Sequence, residues 1–248
     1  VTARAHGARG SRGSSGARPL ALASVIERLE RQHGAPPRPP TRDPWLAILR
    51  ENAAYLVDDA RREETFRALH ERIGTTPEAI LDARPGVLEQ VIEGGGMQPE
   101  RRAEKLRACA RLAQAAGLDA VRAAAKGEPG EAPARRLLKR FPGVGEPGAD
   151  KLMLLAGAAR TLALESNGLR VVVRLGLAPE RSAYAATYRD AHGALLPQLP
   201  ELPRGAGWLL EAHELLRRHG QQTCKRSAPL CGACALGDVC PSAQHRPA

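Results

Sequence analysis

Cys224-Lys225-Arg226-Ser227-Ala228-Pro229-Leu230-Cys231-Gly232-Ala233-Cys234-Ala235-Leu236-Gly237-Asp238-Val239-Cys240 places four thiols in the spacing C-x6-C-x2-C-x5-C. The fifth cysteine, Cys109, stands alone far upstream. A disulfide framework would spread its cysteines along the chain and would suit a secreted protein, so the four are read as a metal site. Structural zinc sites usually show two close cysteine pairs, and here only Cys231 and Cys234 form one. Iron-sulfur clusters accept single ligands strung along a loop. Spacing alone leaves both metals open.

Upstream of this loop the chain reads as helices. Leu22, Val25, Ile26 and Leu29 mark an amphipathic helix over 20–32, followed by a Pro-rich connector over 36–44. Trp45 to Leu56 is apolar enough for a core helix, and Phe66, Leu69 and Ile73 line one stripe of 58–73. Thr76-Pro77-Glu78 is a cap with Pro at the first helical position, Gly94-Gly95-Gly96 ends a short helix over 86–92, and Gly117 stops a helix over 98–116. That last helix holds Cys109 on its apolar stripe, as a small buried residue and not a ligand. Only Val171 to Val173 suggests a strand, and it is too short for a sheet. The fold class is all-α.

Composition narrows the partner. Lys and Arg number 37 against 27 Asp and Glu, a formal charge of +10, which suits a polyanion, with nucleic acid ahead of a membrane surface. Two Trp, three Tyr and two Phe are too few for rows of stacked bases. No apolar run is long enough to span a bilayer, and residues 1–20 lack the apolar core of a signal peptide, so an intracellular, cytoplasmic protein is expected. Residues 1–19 read as a disordered basic tail with Arg4, Arg9, Arg12 and Arg18.

A second motif is Phe141-Pro142-Gly143-Val144-Gly145-Glu146-Pro147-Gly148-Ala149, a Gly-rich turn between two helices. Gly143, Gly145 and Gly148 let backbone approach a phosphate closely, and free N–H groups at the start of the next helix offer an anion site. Together with the cysteine loop, which follows a helix ending in His219-Gly220 and carries Pro229 in its first gap, this turn resembles the helix-hairpin-helix DNA glycosylases of the endonuclease III superfamily. The resemblance covers 22–241. It implies a 4Fe-4S cluster on Cys224, Cys231, Cys234 and Cys240, with Lys225 and Arg226 as phosphate contacts. It further implies a six-helix domain over 44–158 and a cluster domain combining 20–43 with 159–241.

Family members that also cut the strand carry a lysine two residues past the second hairpin glycine. Pro147 stands there, and a chain proline has no free amine for a Schiff base. Lys151 lies one helical turn further on, where a phosphate contact is the ordinary role for a cation. Glu146 sets a negative charge at the turn. The family aspartate that faces the sugar cation falls on Glu165, in Leu164-Glu165-Ser166-Asn167-Gly168-Leu169-Arg170-Val171, where Asn167, Arg170 and Val171 match the adenine-removing branch. Glutamate keeps the charge and reaches ~1.3 Å further. Glu51, after Pro44-Trp45, falls where that branch has its general acid. On an apolar helix face, desolvation is expected to raise its pKa and let it protonate a leaving purine. Tyr55, one turn on, either stacks on the extruded base, fills the gap left behind, or sits in the core.

These features lead to an expected monofunctional DNA N-glycosylase of base excision repair. It would be a nucleoid-associated monomer acting on duplex DNA with a damaged or mispaired base, a purine slightly favoured. With no further domain after Cys240, reading of 8-oxoguanine mispairs is not expected. The rival readings are a bifunctional glycosylase/AP lyase on oxidised pyrimidines and a catalytically silent lesion-binding protein.

Overall fold

The structure is a computed structural model and describes residues 20–158, 161–199 and 205–244. The basic tail read over 1–19 lies outside them. Leu22, Val25, Ile26 and Leu29 are all buried on one face of α1 (Leu22–His33), as the periodicity requires. The Pro-rich connector ends at Asp43, whose carboxylate accepts from the N–H groups of Trp45 and Leu46 and so starts α2 (Pro44–Ala53) with Pro at its first position. Asp58 caps α3 (Asp59–Arg72) and Thr76 caps α4 (Pro77–Asp82) by the same chemistry. Next come α5 (Val87–Val91) and the long α6 (Pro99–Ala116), which Gly117 ends as expected.

Helix α2 stops three residues short of the expected Leu56. Ala54 is extended, Leu56 takes φ 55°, and Tyr55 forms an isolated bridge with Gly96. The cause is Arg102, a buried arginine on α6. Its guanidinium donates to the carbonyls of Ala53 (2.5 Å), Ile92 (2.7 Å), Gly96 (2.7 Å) and Met97 (2.9 Å), satisfying helix-end acceptors that would otherwise be buried unpaired. Gly95 must be glycine there, because a Cβ would collide with the Ala53 carbonyl.

After Gly117 the chain re-enters helix at once as α7 (Leu118–Ala125), whose buried face of Val121, Ala124 and Ala125 is too small-sided to announce itself in the sequence. The hairpin helices are α8 (Glu131–Leu138) and α9 (Glu146–Leu155). Then follow α10 (Ser166–Arg174), α11 (Tyr184–Leu195), α12 (Gly205–Gln222) and the short α13 (Pro241–Gln244). Helix α2 is central, packed on α3, α6, α7 and α9, while α12 packs on α1, α10 and α9. There is no strand among the described residues, and the all-α expectation holds. No described helix is long and apolar enough to cross a membrane.

Candidate active site and cysteine loop

The hairpin turn is held from below by Asn52 of α2. Its amide donates to the carbonyls of Pro142 (2.9 Å) and Ile48 (3.0 Å). Gly143 sits at φ 82°, and a methyl group on it would lie only 3.1 Å from the Asn52 side-chain oxygen. Gly145 then opens α9 with no side-chain cap, which leaves N–H groups free at the helix start. Glu146 does not stand as a bare negative charge at this turn, since it pairs with Lys139 and lies 3.7 Å from Arg135.

One turn into α9 the chain faces a cleft of about 400 Å³ lined by Glu51, Tyr55, Pro147, Lys151, Glu165 and Asn167, among others. Three sequence-distant segments thus meet where the resemblance implied a site. Lys151 Nζ lies 2.5 Å from Glu51 Oε1, and Arg62 Nη1 lies 3.6 Å from Glu51 Oε2. Burial pushes the Glu51 carboxyl up, but Lys151, Arg62 and Arg50 outweigh it and bring its pKa down to about 2. This reverses the rise expected from desolvation alone, because the apolar helix face is met by cations from α3 and α9. Tyr55 is half exposed at the rim, not in the core.

Glu165 caps α10. Its Oε1 accepts from the backbone N–H groups of Asn167 (2.9 Å) and Gly168 (3.1 Å), and its Oε2 from the Asn167 side chain (3.0 Å). The longer side chain therefore folds back on the helix end instead of reaching further into the cleft. Asn167 is oriented in turn by Arg170, whose Nη2 donates to Asn167 Oδ1 (2.9 Å) and to the Gly220 carbonyl (2.7 Å), while its Nε donates to the Cys224 carbonyl (2.9 Å).

That last bond leads into the cysteine loop. Cys224, Cys231, Cys234 and Cys240 line a single cavity of about 270 Å³. Among the described residues no three His, Cys, Asp or Glu side chains converge closely enough for one metal ion. The four thiols around this cavity are the soft donor set that a thiolate-bound metal centre requires. Arg174 Nη1 lies 3.4 Å from Cys224 Sγ and donates to the Lys225 carbonyl (2.8 Å), and its Nη2 donates to that of Arg226 (3.1 Å). The Lys225 and Arg226 side chains are left exposed. Cys109 is fully buried away from the loop, and burial raises its thiol to about 12.

No protein-family model matches the chain. Among curated proteins it is 30% identical over 112 residues to endonuclease III of Escherichia coli K12, covering 45% of this chain and 48% of that protein. It is 28% identical over 106 residues to endonuclease III of Sulfolobus acidocaldarius, covering 43% and 44%. The chain thus matches less than half the length of these relatives. Its fold superposes on a trapped endonuclease III–DNA covalent intermediate with a TM-score of 0.69, at 20% identity, over 91% of this chain and 98% of that one. The chain has the fold of endonuclease III.

Seen within the endonuclease III-like fold, the residues read from sequence fall into two groups. Glu51, Tyr55, Gly143, Gly148, Lys151, Glu165 and Asn167 all line one cleft, with Gly145 beside it as the residue that opens α9. The four cysteines line the other cavity, with Lys225 and Arg226 on its outer loop. Sequence reading missed Arg62 and Arg217, which also line the cleft, and Asn52, which holds the hairpin. Nothing in their local pattern marks them, since their partners lie on other helices.

Proposed function

We propose that this protein is a monofunctional DNA N-glycosylase that hydrolyses the bond between a damaged or mispaired base and its sugar in duplex DNA. The observation that carries the reading is one cleft lined by both Glu51 and Glu165, beside a hairpin whose lysine position is Pro147. Two carboxylates flanking a glycosidic bond divide the labour, one protonating the leaving group and the other facing the oxocarbenium-like sugar. Glu165 suits the second role because three N–H donors hold it as an oriented anion. Glu51 suits the first once an extruded base displaces Lys151 from it, since burial, which raises its pKa, is then opposed only by Arg62 and Arg50. A purine, with ring nitrogens to protonate, fits that division.

The uncapped start of α9 and the exposed Lys225 and Arg226 would hold the DNA backbone on either side of the cleft. The helices over 44–158 would form one lobe, with 20–43 and 159–241 forming the other. Cys224, Cys231, Cys234 and Cys240 would hold a 4Fe-4S cluster, which supplies structural order and an electron-transfer centre when bound.

The test is base release from a panel of damaged and mismatched duplexes, with borohydride trapping alongside. Wild type is expected to release a base without a trapped adduct, and Glu165→Gln and Glu51→Gln to lose ~100-fold or more. A trapped adduct lost in Lys151→Met would establish the bifunctional reading instead, and binding with no release from any substrate would establish the silent one.

A further inference from the structure

The sulfur of Cys234 has two polar neighbours at the wall of the cysteine cavity. Its Sγ accepts from the Leu236 N–H at 3.4 Å and lies 3.4 Å from His219 Nε2. His219 is buried, and its Nδ1 lies 3.0 Å from Nε2 of His33, the last residue of α1. The same end of α1 grips the loop on both sides of Cys234. Gln32 donates to the Ala233 carbonyl (3.1 Å) and accepts from the Ala235 N–H (3.0 Å), and Arg28 pairs with Asp238 at 2.7 Å. Arg218 closes the arrangement by donating to the His33 carbonyl at 3.0 Å.

Two neutral imidazole nitrogens in hydrogen-bond contact share one proton, so the tautomer of one ring dictates that of the other. With the proton on His219 Nδ1, His219 Nε2 would turn a lone pair on the Cys234 sulfur. A thiol tolerates that, but a thiolate bonded to iron is repelled by it. With the proton on His33 Nε2, His219 carries its own proton on Nε2 and aims it at the sulfur.

We propose that His33 is a positioning residue that fixes His219 in the Nε2–H tautomer, so that His219 donates a directed N–H···S hydrogen bond to Cys234 and raises the reduction potential of the cluster held there. The proposal rests on the reading of the four cysteines as cluster ligands. A donor to a ligand sulfur stabilises the more negative, reduced cluster more than the oxidised one. Burial of His219 keeps water from replacing the bond.

The experiment uses the full chain as purified. Iron and acid-labile sulfide per chain are measured first, and their absence from wild type overturns the cluster reading and this proposal with it. Where they are present, the relay is judged by itself. Imidazole ¹⁵N shifts of His219 in wild type are expected to show a protonated Nε2 and a bare Nδ1, and the opposite tautomer overturns the relay. Midpoint potentials from direct electrochemistry are expected to move negative in His33→Leu and His219→Phe, with His33→Gln, whose amide can still donate, recovering most of the shift. An unchanged potential in His33→Leu at wild-type iron content overturns the proposal. Should the buried His219→Phe variant lose its cluster, the less buried His33 variants and the wild-type tautomer still decide it.

Discussion

A side chain on Gly220 would begin 2.5 Å from the carbonyl oxygen of Asn167 and 2.7 Å from its Cβ. Helices α10 and α12 therefore touch backbone to backbone at the point where Glu165 is capped, and Arg170 bridges the same crossing to the Gly220 and Cys224 carbonyls. The cleft and the cysteine loop share one rigid joint. Gly220→Ala has backbone, not a flexible side-chain tip, to push against, so it is expected to cost ~1–3 kcal/mol and to displace Asn167 from Glu165. Urea unfolding gives the stability loss and base release the loss of function. A variant with wild-type midpoint and activity would show that the joint is looser than drawn.

How much of this is readable in advance depends on how local each signal is. The four cysteines fall within one short loop, and the hairpin is one continuous turn, so their spacing points to the cavity and the uncapped helix start without knowledge of the rest. The all-α reading rests on stripes such as Leu22, Val25, Ile26 and Leu29, which are equally local. What escapes the sequence is contact at long range. Lys151 and Arg62 come from two other helices to meet Glu51, so burial alone predicts the wrong direction for its pKa. The apolar run of α2 suggests too long a helix because its end is decided by Arg102 on α6. The length of Glu165 suggests a side chain reaching outward, and only the free N–H groups of α10 explain why it turns back.

Glu51 gives a prediction in pH. Its carboxyl titrates near 2 in the fold against 4.5 when unfolded, so the folded state holds the lower pKa. A depressed carboxylate stabilises the fold fully above its unfolded pKa, and that contribution disappears as pH falls from 4.5 towards 2. The side chain is 43% exposed, so screening reduces the effect to about 1 kcal/mol. Denaturation of wild type and Glu51→Gln from about pH 2 to neutrality should show a gap near neutrality that closes in acid. A gap that widens in acid would mean the ion pair with Lys151 is absent in solution.

Asp150, next to Lys151 on α9 but turned inward, is 1% exposed and lies 2.5 Å from Arg135 Nη2, while the Tyr188 hydroxyl donates to its other oxygen. It ties the hairpin helices to α11. Removing one member of a buried charged pair strands the other, so Asp150→Ala is expected to cost about 3–5 kcal/mol. Tyr188→Phe leaves the ion pair in place and should cost about 1–3 kcal/mol. Because both variants break one network, the double variant should lose less than the two losses added together. Chemical denaturation of the four proteins measures this, and strict additivity would separate the tyrosine from the pair.

Cys109 separates a buried thiol from the four of the cavity. Its side chain is enclosed, burial lifts its pKa to about 12, and the Asn52 amide lies 3.7 Å from its sulfur. The thiolate is the reactive form, so at about pH 8 Cys109 should resist a thiol reagent that the unfolded chain takes up readily. In protein stripped of metal, the reagent should count four fast thiols and reveal the fifth only in denaturant. Cys109→Ala should keep full iron content and lose about 1–2 kcal/mol of stability through the space left behind. The Cys231→Ser variant should lose iron. A fast-reacting Cys109, or iron lost in Cys109→Ala, would move that residue from the core beneath the hairpin to the proposed cluster site.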